Sequence, residues 1–102
     1  MSKLWLAATA LVLVSAAQAY DGEQFVTCNL DQNGDNWVAL KAGPDLGAAR
    51  LGKLGPGTFL ITLEPYAEGM WRQVIVQKDI QDWSYSGPQG WVYTDYICEV
   101  VY

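Results

Sequence analysis

Residues 90–98 read GWVYTDYIC, and the spacing of their large side chains decides the fold. Trp91 and Tyr93 stand two apart with Val92 between them, which in an extended chain puts an aromatic face on one side and an aliphatic one on the other. Thr94 to Tyr96 interrupts the alternation, and Ile97 and Cys98 resume an apolar run. The stretch therefore reads as two strands joined by a very short connection, the closing piece of a small β core. Its tyrosines remain candidates for a contact face.

Outward from this stretch the same pattern repeats. Past the N-terminal residues, no long segment places apolar residues at i, i+3, i+4 and i+7, while short runs rich in β-branched and aromatic residues alternate with turn clusters. Phe25 to Leu30 predicts a first strand, ended by DQNGDN at 31–36. Trp37 to Ala42 predicts a second, with Val38, Leu40 and Ala42 on one face and Lys41 on the other. After the loop GPDLGAAR comes a short strand, Leu51 to Leu54, cut by Gly52. Gly55 to Gly57, GPG, marks a tight turn, because proline presets one dihedral and glycine accepts the left-handed position after it. Thr58 to Leu63 and Met70 to Gln77 predict a hairpin around EPYAEG, and a polar loop, 78–89, leads to Gly90 to Tyr93 and finally Ile97 to Val101. Five to seven short strands in one domain imply an all-β fold, a small barrel.

At the other end, residues 1–19 combine Lys3, an apolar run from Leu4 to Val14 and small residues at Ala17 and Ala19. These are the parts of a secretory signal peptide, with the mature chain starting at Tyr20. The run is shorter than the roughly 20 apolar residues of a membrane span, so a stable membrane anchor is not expected. The expected destination is the periplasm or the exterior. Residues 20–102 make a domain small enough to need a staple. Cys28 and Cys98 are the only cysteines, and in an oxidising compartment they are expected to join as a disulfide. Five basic and eleven acidic residues give 20–102 a net charge of −6. That balance opposes nucleic acid and anionic membranes, which demand a positive patch, and permits a basic partner.

Four segments in order resemble the bacterial SH3 (SH3b, SH3 type 3) domains of exported cell-wall proteins. VALKAGP, Val38 to Pro44, resembles the family's LNVRSGP opening. Gly52 and Leu54 stand at its following glycine and leucine, and Gly57 and Thr58 at its turn into the next strand. WRQV at 71–74 resembles WYKV, and GWVYTDYI is similar to the closing GWVSSDYL. The resemblance implies an SH3-like barrel over 37–102, with 20–36 as an N-terminal extension, and a short helical turn at Thr94 to Tyr96 beside a peptide groove. It also implies framework positions for Trp71 and Trp91. Outside the pattern lie the longer loop at 78–89 and the acidity, where wall-anchoring members are commonly basic.

Catalysis finds little to work with. The chain has no histidine, so no Ser-His or Cys-His pair can form. Glu64 with Glu68, or Asp79 with Asp82, could in principle serve a glycosidase, but in exposed turns both carboxylates stay ionised and neither is a general acid. DQNGDN lacks the alternating acids and terminal glutamate of a calcium loop and reads as a plain turn. No enzyme activity, metal or cofactor is expected. The aromatic residues are what remains: Trp83 and Tyr85 in the polar loop, Tyr93 and Tyr96 near the groove, and Tyr66 in the EPYAEG turn are the candidate ligand-binding residues. Together these observations predict a non-catalytic module that binds a protein or peptide. The alternatives are peptidoglycan-peptide binding, inhibition or immunity against an envelope hydrolase or toxin, and a structural subunit.

Overall fold

Alternating apolar residues build seven strands in residues 20–102, the part of the chain that the computed structural model describes. The expected signal peptide, 1–19, lies outside the described residues. The strands are β1 (Gln24–Thr27), β2 (Val38–Lys41), β3 (Arg50–Leu54), β4 (Phe59–Thr62), β5 (Trp71–Val76), β6 (Gln89–Tyr93) and β7 (Ile97–Glu99), and a 3-10 turn, Thr94–Tyr96, joins the last two. β1 stops three residues earlier than expected because Asn29 takes a left-handed backbone, φ 58°, which asparagine tolerates better than most residues.

All pairings are antiparallel, in the order β3-β2-β6-β5-β4-β1-β7. The two end strands, β3 and β7, do not pair with each other, so the hydrogen-bonded ladder is not closed into a barrel. The sheet nevertheless curls. Leu54 of β3 and Ile97 of β7 belong to one buried cluster with Val38, Leu40, Leu60, Val74 and Val92, so both ends wrap onto the same core. Leu60 and Val92 are fully buried, each stabilising the fold by about 1.5–3 kcal/mol relative to exposure. The turn between β3 and β4 is tied to β1: the Thr27 hydroxyl donates to the Gly55 carbonyl at 2.7 Å and accepts from the Thr58 amide at 2.9 Å. Gly57, at φ 73°, supplies the left-handed position this turn needs.

Within residues 20–36, Gln24–Thr27 form β1, which lies between β4 and β7 in the sheet. A disulfide joins Cys28 to Cys98 with Cα atoms 5.9 Å apart, as expected, and it clamps the end strand β7 onto β1, where Val26 faces Cys98. Such a bond points to an oxidising, non-cytoplasmic environment.

The outer face of β4 and β5 carries Ile61 opposite Ile75, both buried although they face away from the main core. Two backbone segments cover them. Gly22 approaches so closely that a Cβ there would lie 2.5 Å from Ile61 Cγ1, and Gly87 of the 78–89 loop sits against Ile75. Buried amides lock this cover down: Gln24 Nε2 donates to Gln77 Oε1 at 3.1 Å and to the Ile80 carbonyl at 2.7 Å, while Gln77 Nε2 donates to the Asp82 carbonyl at 2.7 Å.

Candidate functional site: an aromatic groove

On β2, alternation sends Val38 and Leu40 into the core, which leaves Ala39 and Lys41, with Trp37 just before the strand, on the outer face. On β6 the same rule buries Gly90 and Val92 and turns Trp91 and Tyr93 outward. Lys41 faces Trp91, and Trp71 of β5 faces Tyr93, so the rings of three strands share one surface. The close approach of β2 to β6 depends on Gly90, since a Cβ there would stand 2.7 Å from the Lys41 carbonyl and 2.8 Å from Leu40 Cγ.

The result is a groove of about 680 Å³ on which four rings, Trp37, Trp71, Tyr93 and Tyr96, converge. Trp71 is its buried floor, packed edge-on against Tyr93 with centroids 5.3 Å apart and planes at 80°; Tyr93 in turn leans on Tyr96 at 6.1 Å. Edge-on and tilted pairs of this kind suit the ring quadrupoles and hold the side chains in place. Tyr96 is set by the 3-10 turn, whose first amide, Thr94, donates to the Met70 carbonyl at 2.8 Å. One wall is the segment from Asn29 to Asp35, carrying Leu30, Asp31 and Asp35. It is pinned to the turn by the Cys28 amide, which donates to the Tyr96 carbonyl at 2.9 Å, and by Asn29 Nδ2, which donates to the Asp95 carbonyl at 3.2 Å. Leu46 also lines the groove, its carbonyl accepting from Lys41 Nζ at 3.0 Å.

Of the five candidate aromatic residues, the groove unites Tyr93 and Tyr96. Trp83 and Tyr85 do not line it. They are 53 % and 41 % exposed on the loop that covers β4 and β5, with the Tyr85 hydroxyl accepting from the Gly22 amide at 3.2 Å. Tyr85 holds this position with φ 56°, an uncommon conformation for a bulky residue. Tyr66 is 80 % exposed at the tip of the β4–β5 hairpin and also lies outside the groove. Trp37, Trp71 and Leu46 were absent from the sequence-based set. Trp37 was recoverable, because it lies two and four residues before Ala39 and Lys41 and so faces away from Val38 and Leu40.

Of the carboxylates considered for chemistry, those of Asp79 and Asp82 have structural partners. Asp82 accepts from the Lys78 amide at 2.9 Å and from the Ser84 hydroxyl and amide at 2.6 and 3.1 Å. These donors favour the charged form and hold its pKa at about 2, below the ordinary 3.8. Asp79 caps the Gln81 amide at 2.8 Å, and Asp31 accepts from the Asn33 amide at 2.9 Å, the expected turn. No family model matches the chain, and no curated protein and no solved structure is significantly similar to it.

Proposed function

We propose that the protein is a non-catalytic binding module of the cell envelope, an SH3-like barrel whose outer groove receives an extended protein or peptide segment. The observation that carries this reading is the convergence of four rings, from the residue before β2, from β5, from β6 and from the 3-10 turn, on one depression. Aromatic rings of limited side-chain freedom supply contact area at low entropic cost, which is why they dominate binding hot spots. The curled sheet and the single turn before the last strand support the SH3-like assignment. A second reading, inhibition of an envelope enzyme or toxin through the 78–89 loop, draws on the exposure of Trp83 and Tyr85.

Two variants separate the readings. With purified peptidoglycan and a set of extended proline-containing peptides as probes, saturable binding should shift the ring resonances of Trp37 and Tyr96. Tyr96→Ala should weaken it about tenfold, the loss of one modest hot spot, while Trp83→Ala should leave it unchanged. Weakening confined to Trp83→Ala would overturn the groove assignment and favour the loop.

A further inference from the structure

Charge is distributed against the overall balance of this acidic chain. Of the five cations in 20–102, Arg72 pairs with Glu23 at 3.6 Å and Lys78 opens the 78–89 loop, while Lys41, Arg50 and Lys53 gather on β2 and β3. An irregularity in β3 turns two of them to one side. Ala39 faces Lys53 and Leu40 faces Gly52, but Lys41 faces Arg50, so Leu51 is the extra residue of a β-bulge. Residues three apart on a regular strand point to opposite faces. Here both cations reach one ring, Arg50 Cζ at 5.2 Å and Lys53 Nζ at 4.5 Å from the centroid of Trp37. Arg50, Leu51 and Lys53 are exposed, and β3 is an end strand that pairs with β2 alone. Among the described residues neither cation has a carboxylate partner.

The 78–89 loop has the opposite character. Its rings, Trp83 and Tyr85, stand in solvent on a fixed backbone: Gln24 Nε2 holds the Ile80 carbonyl, Gln77 Nε2 holds the Asp82 carbonyl, and the Gly22 amide donates to the Tyr85 hydroxyl. Rings presented in this way lose little freedom when they are covered. Carboxylates flank them, for Asp79 and Asp82 belong to the loop and exposed Asp21 precedes Gly22. Within one molecule β2 and β6 lie between β3 and β5, from which the loop departs, and no ion pair joins the two faces among the described residues.

We infer that the β3 face receives a second copy of this chain: Arg50, Leu51 and Lys53 of one molecule take the Trp83–Tyr85 loop of the next, with Asp21 and Asp79 set toward the two cations. Chains of net charge −6 repel over most of their surface. The β3 face is where an approaching copy meets unpaired cations beside an exposed leucine. Opposite charges steer such a contact and disfavour the wrong ones. Pairing β3 with β3 sets cations against cations and is opposed. Because the contact joins two different faces, it is head-to-tail, and molecules add stepwise.

The test is sedimentation equilibrium of the protein with its Cys28–Cys98 bond intact, at low ionic strength. The wild-type average mass should rise with concentration from monomer past dimer. Arg50→Glu with Lys53→Glu, and separately Asp21→Lys with Asp79→Lys, should each weaken association about tenfold or more. Mixing these two variants should restore it to within about threefold of wild type, because the unaltered loop of the first meets the unaltered β3 face of the second. Trp83→Ala should also weaken association about tenfold. Its ring is exposed, so it serves as an independent check should Asp79→Lys disturb the loop, where Asp79 accepts from the Gln81 amide. A wild type that stays monomeric to millimolar concentration overturns the inference. So do folded charge variants that associate as well as wild type, or whose mixture stays monomeric.

Discussion

Replacing both cysteines, Cys28→Ser with Cys98→Ser, should cost more stability than any single surface change. The two residues are 70 apart in sequence. For a loop of that size the chain-entropy model assigns the bond about 4 kcal/mol at 25 °C, a large share of the 5–15 kcal/mol typical of a whole domain. The native state offers little to offset the loss, because β7 is an end strand three residues long that pairs with β1 alone. Both cysteines are half-buried, so serine hydroxyls can remain hydrated and add only a small penalty of their own. The midpoint of thermal unfolding, followed by near-ultraviolet dichroism, should fall by roughly 20 °C, given about 4–8 °C per kcal/mol for a domain of this size. Reductant should bring the wild type to the same midpoint. The groove should weaken as well, since the Cys28 amide and Asn29 anchor the wall beside Tyr96. A loss below about 1 kcal/mol would refute the entropic reasoning and show that β7 is held by its packing on Ile97 instead.

Three further outcomes can be checked. Gly90→Ala should destabilise by about 1–3 kcal/mol, because its Cβ would crowd the Lys41 carbonyl and Leu40; an unchanged urea midpoint would show that β2 and β6 can separate freely. Leu60→Ala, at a fully buried position, should cost about 2–5 kcal/mol in the same assay. The 78–89 loop should loosen in acid: the Asp82 pKa is lowered in the fold, so its contribution is complete above about 3.8 and fades as pH falls toward 2. Amide exchange of Ser84 should rise over that window in the wild type, whereas Asp82→Asn should show raised exchange at neutral pH and no such step.

Much of this molecule is legible in its sequence because local rules act locally. The two-residue alternation of Val38 and Leu40, and of Trp91 and Tyr93 about Val92, determined the strands and which side chains enter the core, since a strand offers only two faces. Two cysteines left one intramolecular pairing, and the disulfide forms it. The tertiary structure alone decided what the outer face becomes. Trp37, Trp71, Tyr93 and Tyr96 come from segments up to 59 positions apart, and only the order β3-β2-β6-β5 and the register of Lys41 with Trp91 unite them. The side on which Arg50 lies was equally hidden, because a bulge shifts strand parity and leaves no clear mark in residue type. The loop bearing Trp83 and Tyr85 looked exposed for its polarity, yet its backbone packs on Ile75 and is held by amide bonds from Gln24 and Gln77 while the two rings stay half exposed. Pattern tells a residue which face it takes; only packing tells it which neighbours share that face.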